Sequence, residues 1–230
     1  MDDQQVKETL REIRTRLRLA MNGVVSTSMR EKGMNYKLNF GVSFPEVCKI
    51  ASAFQSDVEL AEAMWKEDVR ELKMMAPMLY PVDYFTHERA EVWVSEIPYL
   101  EIAEVAVRSL YAKMKEADEV AVHLLYNRQD QFARTVAFLI FMYLFAGNVS
   151  VEASHLNAFW VESVRSLTSF SFDASWGEKQ AAIKALKQYG RQSVEQARKV
   201  LLELDYLKSS ERAECREIYN DLKFEFEYYH

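Results

Sequence analysis

Apolar residues recur at helical spacing along almost the whole chain. The opening segment places its apolar side chains on one helical face, at Val6, Leu10, Ile13 and Leu17. Asn22-Gly23 is predicted to end this helix, and the polar stretch 26–41 is predicted to be a loop or a short turn of helix. From residue 43 onward the pattern predicts consecutive helices over 43–54, 57–65, 68–79, 84–95, 99–114, 118–126, 129–146, 151–167, 176–189, 194–204 and 210–226.

Several of these predicted helices resemble one another. Segments that begin at Glu67, Leu100, Asp130 and Trp176 each open with polar residues and continue with small and apolar ones, and the first three recur about every 30 to 34 residues. Asp68-Val69-Arg70 resembles the charged start of the second helix in HEAT-type repeats. Because short polar connections make antiparallel neighbours, the predicted fold is all-α, a superhelical solenoid of about six HEAT-like helical pairs in a single domain, 1–230.

Composition narrows the class of protein further. With 6 Gly and 4 Pro in 230 residues, the chain has too few turn residues for an all-β fold. The longest apolar run, 136–146, is shorter than the roughly 20 residues that a membrane span needs, so it predicts a buried central helix and no membrane partner. The start of the chain is charged, and Cys48 and Cys215 lie far apart in sequence, which favours a reduced, cytoplasmic setting.

The net charge of −6 is unevenly distributed. Residues 1–41 carry eight basic and five acidic side chains, and residues 179–216 carry nine basic and five acidic ones, whereas the region between them is strongly acidic. Two basic stripes at helical spacing suit the phosphates of duplex DNA, and they consist of Arg11, Arg14 and Arg18, and of Lys184, Lys187 and Arg191. The alternative is that both stripes are ordinary solvated helix faces.

Few residues offer candidate chemistry. No two of the histidines have zinc-site spacing and no glycine-rich phosphate loop is present, so neither a metal nor a cofactor is expected. Glu101 and Glu104 share a helix face and can serve a site, or they can simply favour the helix dipole from the first turn. Arg134, just before the apolar run, can reach a concave surface or form a salt bridge to a neighbouring helix.

A resemblance to a known family ties these residues together. The stretch FGVSFPEVCKIASAFQSDVELAEAMWKEDVRELKMMAPM, followed in order by WVSEIPYLEIAEVAVRSL, FARTVAFLIFMYLF and KALKQYGRQS, resembles the AlkD-type DNA alkylation repair family. The resemblance implies a concave solenoid that grips duplex DNA and excises purines alkylated at N3 or N7. In that family a carboxylate stabilises the developing oxocarbenium sugar, aromatic rings contact the cationic base, and an arginine holds a phosphate.

Matched by position, the family pattern implies roles for individual residues. Glu104 stands at the place of the catalytic aspartate, with Glu101 as its substitute, and Arg134 matches the phosphate-binding arginine. Leu100, preceded by Tyr99, stands where an aromatic substrate contact is expected, and Lys184 is nearest to the place of a second tryptophan. Glu104 is one methylene longer than aspartate, and a displacement of about 1 Å can cost on the order of 100-fold in rate.

The sequence therefore predicts a DNA-binding alkylation repair protein and leaves open whether it is an enzyme. If it is active, we expect an N-glycosylase that releases cationic alkylated purines. One alternative is a non-catalytic HEAT-like scaffold that binds a protein partner in its groove, which the acidic middle of the chain favours. Another is a DNA-binding relative that performs no chemistry.

Overall fold

The computed structural model describes residues 1–168 and 176–230. Within these residues the chain forms helices joined by turns, and the β structure there is one isolated bridge between Leu38 and Val69. The all-α class predicted from the sequence is confirmed. No helix in the described residues is long and apolar enough to cross a membrane. The chain divides into two compact units, Met1–Arg89 and Ala90–His230, and the assignment of the whole chain to one domain stays a prediction.

The first unit consists of five helices that pack around an apolar core. Its helices are α1 (Asp3–Leu19), α2 (Gly23–Glu31), α3 (Phe44–Ala51), α4 (Val58–Trp65) and α5 (Arg70–Leu79), followed by a 3-10 turn, Val82–Tyr84. Both α1 and α5 pack against α3 and α4. Asp2 caps α1 by accepting a hydrogen bond from the Gln5 backbone, and Asp57 caps α4 in the same way through Leu60.

A buried carboxylate fixes the long loop between α2 and α3. Glu71 is fully buried and accepts hydrogen bonds from the backbone N–H groups of Phe40 at 3.1 Å and Val42 at 3.2 Å. Arg70, also buried, donates to the carbonyl of Val42 at 3.0 Å and to Glu71 at 3.1 Å. Because these groups satisfy one another away from water, the start of α5 holds this loop in one conformation.

The second unit is built around one central helix. Helix α6 (His87–Ser95) contains the boundary, and the helices after it are α7 (Leu100–Ser109), α8 (Ala117–Tyr126), α9 (Ala133–Ala146), α10 (Ala153–Thr168), α11 (Trp176–Arg191), α12 (Val194–Glu203), α13 (Asp205–Lys208) and α14 (Ala213–Tyr229). Eleven of the fourteen residues of α9 are buried, which confirms the buried central helix. Helix α9 packs against α7, α8 and α11, so it positions the side chains that α7 and α11 carry.

Candidate functional site

Helix α7 carries the two predicted catalytic carboxylates. The side chain of Glu104 is 47% exposed, whereas Glu101, one turn earlier, is half-buried. Leu100 begins the helix and is 38% exposed, and Tyr99 occupies the N-cap position without a side-chain capping bond. Glu104 is therefore the better placed of the two acids to meet a ligand from solvent.

The structure brings Glu104 together with one of the predicted DNA-binding cations. Lys184 Nζ on α11 lies 3.3 Å from Glu104 Oε1 on α7, although the two residues are 80 positions apart. Both side chains are about half exposed, and an ion pair of this kind contributes only about 0–1 kcal/mol. Lys184 thus partly neutralises the Glu104 carboxylate. The ion pair is weak enough for a competing anion to displace the carboxylate.

Tyr143, on the central helix, interacts electrostatically with Glu104 and was not selected from the sequence. It is half-buried in the last turn of α9. Burial raises the pKa of its phenol, Arg108 opposes the rise, and Glu104 adds to it, so both charged groups act on the ring. Tyr143 lies inside the apolar run 136–146, at the spacing of a core residue. The pattern therefore predicts a packing role for it and not a role in a site.

Arg134 forms salt bridges to neighbouring helices, which is one of the two roles that the sequence left open for it. Its side chain is buried in the second unit and donates to Glu178 at 2.7 Å, to Glu162 at 2.6 Å and to Ser166 at 2.7 Å, as well as to the carbonyl of Leu125. Four donor contacts within the protein leave this guanidinium little capacity to bind a phosphate in the observed conformation. The phosphate-binding role that the family pattern implies for Arg134 therefore stays a prediction, and in this conformation the side chain makes structural contacts.

The remaining cations of the second stripe are paired with acids of the last helix. Lys187 Nζ lies 2.8 Å from Asp221 and 3.4 Å from Glu225 on α14. Arg191 Nε donates to the same Glu225 carboxylate at 2.7 Å, and its guanidinium lies over the ring of Tyr229. The sequence analysis missed these acids, although Asp221 and Glu225 have the same four-residue spacing as Lys187 and Arg191.

The cations of the first stripe form fewer ion pairs. Arg14 donates to Glu67 at 2.6 Å, and so it is paired within the first unit. Arg11 and Arg18 are exposed, and no acid in residues 1–168 or 176–230 forms an ion pair with either of them. Of the six predicted DNA-binding residues, these two present charge that no acid of the described residues pairs with.

Three of the histidines make local contacts. His155 Nδ1 lies 2.8 Å from Asp118, His123 Nδ1 lies 3.1 Å from Glu91, and His230 Nε2 lies 3.0 Å from the carbonyl of Gly190. Burial raises the pKa of the Asp118 carboxyl, but the hydrogen bonds from His155 and from the Glu152 backbone outweigh burial, and the net pKa is lowered. The absence of a metal stays a prediction.

The helical architecture defines the class of protein. A solved structure described as "A new family of proteins related to the HEAT-like repeat DNA glycosylases with affinity for branched DNA structures" is similar to this chain with a TM-score of 0.74, at 15% identity, over 97% of this chain and 95% of that one. The likeness establishes a fold of the HEAT-like repeat kind. The sequence profile of the DNA alkylation repair enzyme family matches residues 13–217, and the chain belongs to this family. No curated protein matches it significantly.

Proposed function

We propose that this protein binds DNA through the phosphate backbone, as a member of the DNA alkylation repair family. The observation that carries the proposal is the exposed side of α1, where Arg11 and Arg18 have no acidic partner among the described residues. They are separated by two helical turns, about 10 Å along the axis, so they can contact different phosphates. A cation that is not already neutralised gains most from a phosphate, because binding then releases counterions from the DNA.

Two forms of DNA are candidates. The resemblance of the sequence implies duplex DNA, whereas the structurally similar protein comes from a family with affinity for branched DNA. Both forms present phosphates to the same cations, so backbone recognition accommodates either. A direct comparison of a linear duplex with a four-way junction of the same strands distinguishes them.

The test is a fluorescence anisotropy titration at several salt concentrations. We expect affinity to fall steeply with salt, and R11A/R18A to bind at least tenfold more weakly at low salt with a salt slope reduced by about one to two. The matched control is R14A/R16A, which removes the same charge from the same helix but from residues that pair with Glu67 and Glu12. A salt-independent response would point instead to a scaffold for a protein partner. Equal losses in both variants would mean that Arg11 and Arg18 are not the specific phosphate contacts.

Base excision is a second candidate function, favoured by the exposed carboxylate of Glu104. A carboxylate in that place stabilises positive charge that develops on the sugar as the glycosidic bond breaks. Lys184 works against this because it supplies a positive charge next to the same carboxylate. The geometry therefore supports weak excision in the native protein.

Excision is tested with duplex DNA that contains 7-methylguanine, by chromatography of the released base. If Glu104 acts, E104Q abolishes release, whereas E101Q, the same change one turn away, retains it. K184A is expected to increase the rate because it leaves the Glu104 carboxylate unpaired. DNA binding without release of base from any of these proteins supports a DNA-binding relative that performs no chemistry.

A further inference from the structure

Helix α14 places a row of acids against the cationic row of α11. Lys187 and Arg191 are one turn apart on α11, Asp221 and Glu225 are one turn apart on α14, and all four side chains are joined by ion pairs. Lys187 contacts both acids, at 2.8 Å and 3.4 Å, and Glu225 contacts both cations. The two rows therefore have the same spacing and opposite charges. A row of phosphates would complement the same cations in the same way.

Helix α14 is held in this register by its apolar face. Its residues Cys215, Ile218, Leu222 and Phe226 are buried, and the Phe226 ring packs against the backbone at Gly190 on α11. His230, just after the helix, contacts the carbonyl of the same glycine at 3.0 Å. The carboxylates of Asp221 and Glu225 are therefore fixed beside the cations rather than meeting them by chance.

We infer that α14 is a built-in competitor for phosphate, which keeps Lys187 and Arg191 from contributing to DNA affinity. The inference rests on the proposed DNA-binding function. A cation that already has a carboxylate partner must give up that contact to bind a phosphate, so it adds less to counterion release and to salt dependence. The same carboxylates also repel a DNA backbone that approaches α11. The affinity of the protein for DNA is thus set by α14 as well as by the cations themselves.

The experiment is a double-mutant cycle in DNA affinity, measured by anisotropy at low and moderate salt. Its four members are the wild type, K187A/R191A, D221N/E225Q and the variant that combines all four changes. We expect K187A/R191A to change the wild-type affinity by less than about threefold. We expect D221N/E225Q to bind at least tenfold more tightly with a steeper salt slope, and the combined variant to lose this gain.

The matched control is E217Q/E227Q, which removes two negative charges from exposed positions of α14, where Glu227 pairs with Lys223 of the same helix. If D221N/E225Q gains no more affinity than this control, the inference fails while the DNA binding of the wild type stands. If the wild type shows no binding but D221N/E225Q binds, the inference holds and native DNA binding does not. Absence of binding in every variant overturns both.

Thermal unfolding verifies that α14 stays folded, and the single variants D221N and E225Q replace the double if it does not.

Discussion

At the scale of single residues, Arg134 shows how a buried charge becomes a structural requirement. Its guanidinium joins Glu162 on α10 and Glu178 on α11 inside the second unit. We expect R134M to lower the free energy of unfolding by about 3 kcal/mol, because both carboxylates then lose their buried cation, although Glu162 keeps its more exposed partners Arg128 and Arg165. Urea denaturation followed by circular dichroism measures this loss.

The control for Arg134 is a neighbour that shares its partner. Arg165 pairs with Glu162 at 2.6 Å, but its own side chain is 55% exposed, so R165A should cost only about 0–1 kcal/mol. If R134M kept wild-type stability and instead lost DNA affinity, Arg134 would return to the phosphate-binding role that its sequence position suggested.

Asp118 and His155 give a prediction for pH. The pKa of Asp118 is lowered in the folded protein below its ordinary value of 3.8. A lowered carboxyl pKa contributes stability above the unfolded value, and this contribution disappears as pH falls through the folded value. We therefore expect D118N to cost about 1 kcal/mol at pH 6 and to approach wild-type stability as the pH falls well below 3.8.

The pH test is a series of thermal unfolding curves for the wild type and D118N. The matched control is D221N, which makes the same chemical change at an acid that is 51% exposed. Parallel stability curves for D118N and the wild type across the whole acid range would contradict the assigned hydrogen bonds.

The residues also show why the sequence could not assign Arg134. Arg70 begins α5 and Arg134 lies at the start of α9, and each is buried and donates to a backbone carbonyl, of Val42 and of Leu125 respectively. The repeat pattern predicted both as charged helix starts. Whether such a cation turns inward or outward depends on acids such as Glu162 and Glu178, which are 28 and 44 residues away. No local pattern contains that information.

At the scale of elements, the contact between α11 and α14 depends on a glycine. A Cβ at Gly190 would lie 2.3 Å from the Phe226 ring, which is itself buried. We expect G190A to destabilise the second unit by about 1–3 kcal/mol, because the ring has to move out of a packed position. Chemical denaturation followed by circular dichroism measures the effect.

Gly23 provides the control for Gly190. It begins α2, and a Cβ there meets no atom within 4 Å. Because alanine is a better helix former than glycine, G23A should be neutral or stabilise the protein by up to about 1 kcal/mol. Equal losses from G190A and G23A would mean that the Phe226 contact does not hold α14 in place.

Most helices were predictable, and the departures have local causes. The helices predicted to start at 43 and 57 do begin there: Asp57 caps α4, and Ser43 occupies the N-cap of α3, although its hydroxyl makes no capping bond. The predicted end at Asn22-Gly23 is instead the start of α2, because the Asn22 side chain accepts a hydrogen bond from the Val25 backbone and caps a new helix. A residue type that suits both a helix end and a helix start cannot be assigned from its neighbours alone.

At the scale of the whole molecule, net charge is a poor guide to a nucleic-acid surface. The chain carries −6 overall, yet Arg11 and Arg18 remain exposed and unpaired among the described residues, whereas Lys187 and Arg191 are neutralised. The sequence identified all four cations from their spacing. The sequence could not tell which of these cations are paired, because the pairing depends on which acids the fold brings to each helix.

This difference yields a prediction about charge placement. R11A/R18A and R198A/K208A both lower the formal net charge from −6 to −8, and the second pair is also exposed. If long-range attraction to the total charge governed DNA binding, the two variants would lose affinity equally. We expect R11A/R18A to lose at least tenfold at low salt, because it removes direct phosphate contacts, and R198A/K208A to lose less than about threefold. Anisotropy titrations at two ionic strengths separate these outcomes, since a purely long-range effect disappears once the Debye length falls below about 10 Å.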